Sequence, residues 1–256
     1  MTETPEAAAT RVARIADNVR AVRERVGAAA NSAGRDAASI RVIGVTKGRP
    51  IADVAAVIDA GVNDLGENRA HEIVVKAHDP VLTRSMVQWH MIGQCQTNKV
   101  ASIADVVTWW HSVDRSGLVD QIARRTAQLA KQPAPAIVPK VLVQVDTTGP
   151  DERGRPERRA GPDGRGGVDP QGLSALLDHC AARELEVVGL MTVAPLHGDP
   201  RPAFELIDSL CERFGLRERS MGMTDDFEAA IGLGSTMVRI GRALFAERHH
   251  DAPGPR

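Results

Sequence analysis

One lysine of the sequence lies where its amine could react with a carbonyl compound. Lys47 directly follows the apolar segment 40–46, and Pro50 after it suits the first position of a helix. If the Lys47 side chain points inward with Ile43 and Val45, partial burial disfavours the ammonium and favours the neutral amine. A neutral amine is what a Schiff base requires. A surface lysine whose ammonium stays in water is an equal alternative from this position alone.

Two segments near the end of the sequence combine a glycine with the start of a helix. Residues 220–231 and 234–245 each indicate a strand that runs into a helix, with Gly222 and Gly241 at the turns. Helix N-termini offer free backbone N–H groups and the positive end of the helix dipole, which suit a phosphate. Glycine permits close backbone approach, and Arg242 adds positive charge. Ordinary helix capping produces the same pattern, so each segment alone is weak evidence.

Arg239 is predicted to point into the protein. In the segment 236–241 (TMVRIG), Val238 and Ile240 alternate with Arg239, so Arg239 faces inward if the β-branched pair packs against helices. A buried arginine needs an anionic or acceptor partner. The ring nitrogen of a pyridine cofactor and a carboxylate such as that of Glu67 are the two alternatives.

Histidine and cysteine give weaker signals. His90 and His111 are the histidines placed nearest the predicted strand ends, although a strand histidine is more often a satisfied core residue than a ligand. No His-x-His or His-Glu-x-x-His spacing supports a metal site. The cysteines Cys95, Cys180 and Cys211 are far apart, which argues against a disulfide framework and favours a reducing compartment.

The order of apolar segments predicts the scaffold that brings these residues together. A helix is predicted over residues 5–34, with Val12, Ile15, Val19, Val22 and Val26 on one stripe. Eight short apolar segments then alternate with helical ones, and this alternation predicts a single (β/α)8 TIM barrel with an extra N-terminal helix. An open doubly wound sheet is the alternative, but no GxGxxG turn follows the first strand. The predicted strands are 40–46, 62–66, 87–92, 106–113, 138–145, 186–193, 219–223 and 236–240, and the helices lie at about 50–60, 67–78, 96–104, 115–131, 170–183, 200–215, 225–232 and 241–247.

Polar residues follow the predicted strands at their C-terminal ends. In a barrel these ends meet on one rim, where enzymes of this architecture place their sites. The three tryptophans are expected to fill space between strands and helices. The residues expected on the rim are Lys47, Glu67, Asn68, Gly93, Gln94, Ser112, Asp114, Asp146, Ala194, Pro195, Thr224, Asp225, Gly241 and Arg242.

We expect one domain over residues 1–256, with its core at about 40–247 and disorder at 1–8 and 249–256. Residues 147–169 are rich in Gly, Pro, Arg and acidic side chains without an apolar period, which predicts a long solvated loop. Acidic residues interleave with its arginines and no aromatic side chain is present to stack bases, so a nucleic-acid site is not favoured.

Composition excludes several classes of partner. Basic residues number 32 and acidic residues 33, so no overall field attracts nucleic acid or a membrane surface. The first residues lack the apolar segment of a secretory signal, and no apolar run approaches the ~20 residues of a membrane-spanning helix. We expect a cytoplasmic protein, and a monomer because no heptad or large apolar stripe is evident.

The motifs of this chain resemble those of the pyridoxal phosphate homeostasis proteins. The resemblance extends in order from about residue 40 to 245, and SMGMTDDFEAAIGLGSTMVRIG (220–241) is its most specific part. The other matching segments are VIGVTKGRP (42–50), DLGENRAHE (64–72), WHMIGQCQTNK (89–99), HSVD (111–114), VLVQV (141–145), VGLMTVAP (188–195) and ALF (243–245). The resemblance implies a barrel like the N-terminal domain of alanine racemase, with pyridoxal 5′-phosphate (PLP) held as a Schiff base on Lys47.

The resemblance also implies cofactor contacts. Asn68 would lie beside PLP, Arg239 would face the pyridine ring, and Gly241 would form the phosphate turn. Ser220, Met221, Gly222 and Met223 would lie near the phosphate, and we add His90 and Arg242 from their positions. Arg242 replaces the Thr or Ser usual in the family, and a Lys-Ser-Gly stretch common after the fifth strand is here Arg165, Gly166 and Gly167.

Three functions follow as hypotheses. The favoured one is a PLP-binding protein of intracellular PLP (vitamin B6) homeostasis, without robust catalysis, whose partners are PLP and PLP-dependent apo-enzymes. The alternative is a PLP-dependent amino-acid racemase of weak activity, because racemisation in the alanine racemase manner needs a tyrosine base and this chain has no tyrosine. A barrel that binds a protein partner without a cofactor is the third.

Overall fold

Eight parallel strands close into a barrel in the computed structural model, which describes residues 4–83, 85–133, 137–148, 166–195 and 197–247. Each strand pairs with the next along the chain, and β8 pairs with β1 to close the sheet. This order, with helices on the outside between strands, is that of a (β/α)8 barrel and confirms the predicted fold.

The helices and strands follow the predicted alternation closely. All eight predicted strands are present, including the two with the weakest apolar pattern, 62–66 and 219–223. The elements are α1 Pro5–Ser32, β1 Arg41–Val45, α2 Ile51–Asp59, β2 Asp64–Glu67, α3 Ala70–Ala77, β3 Gln88–Met91, β4 Val107–Val113, α4 Ser116–Leu129, β5 Lys140–Gln144, α5 Leu173–Ala182, β6 Val187–Met191, α6 Arg201–Phe214, β7 Glu218–Ser220, α7 Phe227–Gly232, β8 Met237–Ile240 and α8 Arg242–Phe245.

The described residues also contain short 3-10 helices, and one of them corrects a prediction. Residues 96–104 were expected to form an α-helix, but the segment is a 3-10 helix over Thr97–Ser102. Another 3-10 helix, Pro170–Gly172, precedes α5, and the Asp169 side chain accepts a hydrogen bond from the Gln171 N–H at its start. The third covers Ala37–Ser39 before β1.

The N-terminal helix α1 packs on α2, α7 and α8. It begins at Pro5, so the expected disorder of residues 1–8 is wrong for residues 5–8; residues 1–3 and 249–256 lie outside the described chain. Ile15, Val19, Val22 and Val26 are buried as predicted, but Val12 is 40% exposed.

Two apolar cores lie on either side of the sheet. The larger one fills the space between strands and helices and includes Trp89 and Trp110. The smaller one lies inside the barrel, where Ile43, Trp109 and Met237 pack with neighbouring side chains. The expectation that all three tryptophans lie outside the barrel is wrong for Trp109, since adjacent residues of a strand face opposite sides.

The C-terminal end of the predicted loop 147–169 is part of the barrel rim. Val168 forms a parallel bridge with Val145, and the Asp146 N–H donates to the Val168 carbonyl at 2.9 Å. Residues 149–165, and with them the predicted solvated character of the loop, lie outside the described residues. Within the described chain, every helix is too short or too polar to cross a membrane.

Candidate cofactor-binding site

Lys47 lies in the turn that follows β1, on the C-terminal rim of the barrel. β1 ends at Val45, so Lys47 stands above the apolar interior and is exposed. The expectation of an amine half-buried among apolar side chains is therefore wrong. Gly48 adopts a left-handed backbone with φ of 67°. Among the described residues, none forms a hydrogen bond or ion pair with the Lys47 ammonium, so this amine is accessible.

Two side chains of α3 hold the turn that carries Lys47. The Lys76 Nζ donates to the Thr46 carbonyl at 2.7 Å, and the Glu72 carboxylate accepts from the Gly48 N–H at 2.7 Å. Lys76 and Glu72 also pair with each other at 3.0 Å. The residues before and after Lys47 are thus both tied to α3, and this fixes the position of the turn.

Glu67 is completely buried beneath the same turn, on the helix side of the sheet. Its Oε1 accepts from the Lys76 Nζ at 2.6 Å and from the Thr46 hydroxyl at 2.5 Å. Burial raises the pKa of the Glu67 carboxyl, and the hydrogen bonds from Lys76 and Thr46 act against this rise. Because Glu67 faces outward and is paired with Lys76, the hypothesis that it is the partner of Arg239 is wrong.

The strand register places two other predicted site residues beside Lys47. Val45 of β1 is aligned with Gly66 of β2, so Asn68 and Lys47 each lie two residues beyond the aligned pair. On the other side β1 is aligned with β8, and a Cβ added at Gly241 would lie 3.4 Å from the Val45 Cβ. Asn68, Lys47 and Gly241 are therefore neighbours along the rim.

The turn after β7 is built around Gly222. Its φ is 95°, and an added Cβ would lie 2.7 Å from the Ala230 Cβ and 2.9 Å from the Phe227 Cα, so only glycine fits. Asp226 accepts a hydrogen bond from the Met223 N–H at 2.6 Å, which leaves that N–H committed. Within the described chain, no protein acceptor pairs with the backbone N–H groups of Gly222 and Gly241.

Arg239 points into the barrel, as the alternation of β8 predicts, while Val238 and Ile240 belong to the outer core. One of its terminal nitrogens donates to the carbonyl and the hydroxyl of Ser220 at 2.7 and 2.6 Å, and the other donates to the Thr192 carbonyl at 2.7 Å. Burial lowers the pKa of Arg239 to about 10, so the guanidinium stays charged at neutral pH. These three contacts leave further N–H groups of its five for another acceptor.

His90 does not reach the rim. It is completely buried inside the barrel, with its Nε2 2.9 Å from Asp64 Oδ1 and its Nδ1 2.9 Å from His111 Nε2. Both ring nitrogens form hydrogen bonds with protein side chains, as is usual for a buried histidine with a structural role. We therefore do not retain His90 as a direct cofactor contact.

Arg242 opens α8 on the rim and is exposed. Its guanidinium pairs with the Asp225 carboxylate, whose side chain is equally exposed. The structure thus gives the positive charge predicted from the sequence a carboxylate partner. Cys95, also near the rim, is buried, and burial raises the pKa of its thiol to about 11, in agreement with a structural role.

Several site residues were missed from the sequence. Thr192, Asp226 and Asp64 contact predicted site residues, and Lys76 with Glu72 fixes the Lys47 turn. The spacing of four residues between Glu72 and Lys76 on one helix was a signal for a pair. The partners of Thr192 and Asp226 lie on other strands or across a turn, and no sequence pattern marks them.

Chemically, the described rim offers what a phosphorylated aldehyde with a ring nitrogen requires. It has an accessible primary amine, two unpaired backbone N–H groups that suit a phosphate, and a charged donor facing the barrel mouth. These groups come from the ends of β1, β7 and β8.

The family model described as alanine racemase, N-terminal domain, matches residues 10–249. Curated relatives named pyridoxal phosphate homeostasis protein align along nearly the whole chain. The relative from Pseudomonas aeruginosa is 36% identical over 249 residues, covering 93% of this chain and 98% of its own. The one from Mycobacterium tuberculosis strain H37Rv is 34% identical over 255 residues, covering 91% and 92%.

Several solved structures are similar to this chain in fold. An unknown protein from Bifidobacterium adolescentis is 33% identical with a TM-score of 0.77, covering 92% of this chain and 96% of its own. PipY of Synechococcus elongatus, solved with PLP bound, is 27% identical with a TM-score of 0.72, covering 91% and 100%. Alanine racemase from Streptomyces coelicolor shares the fold at 18% identity and a TM-score of 0.67, over 93% of this chain and 59% of its own. The extent and identity of the matches to the curated relatives show that this chain belongs to the pyridoxal phosphate homeostasis protein family.

Proposed function

We propose that this chain binds PLP as a Schiff base on Lys47 and acts in intracellular PLP homeostasis. The observation that carries the proposal is the exposed, unpaired amine of Lys47 on a turn that α3 holds in place. PipY, a relative of the same fold, has been solved with PLP bound.

The residues of the rim fit the separate parts of PLP. The unpaired N–H groups of Gly222 and Gly241 suit the phosphate, with Ser220, Met221 and Met223 forming the rest of that turn. Asn68 lies beside Lys47, and Arg239 is available to the ring nitrogen. PLP supplies an aldehyde for Schiff-base formation and, in enzymes, an electron sink. A cationic donor such as Arg239 leaves the ring nitrogen unprotonated, which weakens that sink.

A PLP-dependent racemase of weak activity is the alternative function. The absence of tyrosine from the sequence removes the second base used in the alanine racemase manner, and Arg239 acts against a strong electron sink. We therefore favour storage and delivery of PLP over turnover. Delivery to PLP-dependent apo-enzymes in the cytoplasm, by a monomer, belongs to the same proposal.

The test is the absorption spectrum of the purified protein before and after PLP is added, followed by borohydride reduction and peptide mapping. We expect a yellow protein with the pyridoxyl group on Lys47. The sequence has four other lysines, Lys76, Lys99, Lys131 and Lys140, so the map is unambiguous. A protein that takes up no PLP, or carries it on another lysine, would contradict the proposal. Turnover of alanine, serine or glutamate above ~1 s⁻¹ would favour the racemase.

Because Arg242 pairs with Asp225, substitutions of these two residues are predicted to change PLP affinity in opposite directions. If Arg242 assists phosphate binding, Arg242→Ala should weaken PLP affinity by about three- to tenfold, the factor of roughly one ordinary hydrogen bond. Asp225→Asn should strengthen affinity because it releases Arg242 from its ion pair. Both side chains are exposed, so either change should alter stability by less than about 1 kcal/mol. Titration with PLP measures the affinity.

The matched control for Arg242→Ala is Arg183→Ala. Arg183 pairs with Asp120 at 2.6 Å in a partly exposed ion pair, and it follows α5 on the opposite face of the barrel. This variant should bind PLP like the wild type. Unchanged affinity in Arg242→Ala would place that side chain in solvent and remove it from the site.

A further inference from the structure

A continuous row of hydrogen-bonded side chains crosses the barrel interior below the rim. Arg239 is 2.6 Å from the Ser220 hydroxyl, which is 2.9 Å from His111 Nδ1. His111 Nε2 is 2.9 Å from His90 Nδ1, and His90 Nε2 is 2.9 Å from Asp64 Oδ1. Ser220 and both histidines are completely buried. We call Ser220, His111, His90 and Asp64 the interior chain.

The interior chain connects the two faces of the barrel. Ser220 is the last residue of β7, whereas Asp64 is the first residue of β2. The Asp64 side chain is 19% exposed and accepts a hydrogen bond from Arg41 at 2.7 Å. Asp64 and Arg41 line a cavity of about 560 Å³. The interior chain therefore starts with Ser220 at the candidate cofactor site and ends with Asp64 near solvent on the opposite face.

The chemistry of the two ends fixes the direction of every hydrogen bond. A guanidinium only donates, an ionised carboxylate only accepts, and a neutral imidazole has one donor and one acceptor. With both imidazoles neutral, every contact pairs a donor with an acceptor in only one arrangement. Ser220 donates to His111, His111 donates to His90, and His90 donates to Asp64. Both histidines then carry their proton on Nε2.

The surroundings favour these protonation states. Burial lowers the pKa of His90, and its hydrogen bond with Asp64 only partly opposes this effect. Burial, reinforced by neighbouring positive charge that includes Arg239, lowers the pKa of His111 well below its ordinary value. Burial acts to raise the pKa of Asp64, but the hydrogen bond from His90 and the charge of Arg41 outweigh it, so this carboxyl is ionised at neutral pH.

We propose that the interior chain positions Arg239 for the cofactor from the opposite face of the barrel, an inference that rests on the proposed function. Because the Ser220 proton is committed to His111, the lone pairs of the Ser220 hydroxyl always face Arg239. This holds the guanidinium in one orientation toward the ring nitrogen. Asp64 is then a positioning residue that acts on PLP without touching it, much as outer hydrogen-bond partners orient metal ligands.

The protonation pattern can be tested on the unsubstituted protein. Nitrogen-15 NMR of the full chain, recorded before and after PLP is added, should show both His90 and His111 protonated on Nε2 alone. The presence of a proton on Nδ1 of either ring would overturn the inference, because the direction of the interior chain would then be broken. This measurement does not depend on whether PLP binds.

The second test compares two carboxylates that line the same cavity. Without Asp64 the histidine protons are no longer fixed, so Asp64→Ala should speed PLP dissociation by about fivefold, the factor of one ordinary hydrogen bond, and shift the absorption maximum of bound PLP. Glu218→Ala is the control, because Glu218 accepts a hydrogen bond from Thr236 and is not part of the interior chain. It should release PLP at the wild-type rate.

Asp64→Leu keeps the approximate volume of the side chain without offering an acceptor, so it replaces Asp64→Ala if that variant does not fold. Dissociation and absorption identical to the wild type in the folded Asp64 variant would overturn the inference. A wild-type protein that binds no PLP would instead remove the proposed function, and the histidine protonation pattern would then decide alone whether the interior chain is one-directional.

Discussion

The Lys47→Ala protein is expected to lose covalently bound PLP completely and to keep the wild-type fold. The Lys47 side chain is exposed and forms no contact with described charged or polar groups, so its removal should change the free energy of unfolding by less than about 0.5 kcal/mol. The loss of covalent attachment is total because the amine is the only reacting group. Mass spectrometry after borohydride reduction measures the attachment, and thermal unfolding measures stability.

The control is Lys131→Ala, an exposed lysine that follows α4 on the opposite face. This variant should retain the reduced pyridoxyl group in full. The Lys47→Ala protein should still bind PLP without a covalent bond, since the glycine N–H groups and Arg239 remain. A pyridoxyl group fixed on Lys47→Ala by borohydride would show that another lysine forms the Schiff base.

The architecture was predictable because local patterns determine it. Eight apolar segments separated by helical ones leave few topologies, and parallel strands with helical connections favour closure at eight. The parity of β8 likewise predicted that Arg239 points inward, since Val238 and Ile240 need an apolar neighbour on the helix side. Both inferences depend only on periodicity along the chain.

The wrong predictions concern Lys47 and Glu67. They depend on where a strand ends and on which side chains of neighbouring elements pack against it. The residue before Lys47 is a buried threonine, Thr46, and the strand ends at Val45, so the lysine lies in a turn instead of the strand. Glu67 faces outward on the same side of β2 as Leu65, and its partners there are Lys76 of α3 and the Thr46 hydroxyl. A pattern of apolar residues carries no information on such partners.

The interior chain depends on register, which the sequence does not determine. His90 of β3 and His111 of β4 meet because the pairing of these strands shifts between Trp89 and His90. No sequence pattern indicates this register shift, so the contact between the two imidazoles could not be predicted. The contact between Ser220 and His111 could not be predicted either, because β7 and β4 lie on opposite sides of the barrel.

Lys76→Met is expected to destabilise the protein by about 3–5 kcal/mol, because it leaves the completely buried Glu67 carboxylate without its cation. The Oε2 of Glu67 already has no partner among the described residues, so the neutral Thr46 hydroxyl on Oε1 is the donor that remains there. PLP affinity should fall as well, since Lys76 also holds the Thr46 carbonyl next to Lys47. Urea unfolding measures the stability, and Lys131→Met, on an exposed lysine, is the control.

The loss of stability in Lys76→Met should depend on pH in a defined direction. Burial already raises the pKa of Glu67 above its ordinary value of 4.5, and removal of the Lys76 hydrogen bond raises it further. The folded variant then binds a proton more readily than the unfolded chain, so stability falls as pH rises above 4.5 towards the folded pKa. Lys76→Met should therefore be less destabilising at pH 5 than at pH 8. Adding Glu67→Gln, which removes the buried charge, should recover stability at pH 8; equal losses at both pH values without recovery would show that Lys76 contributes through packing alone.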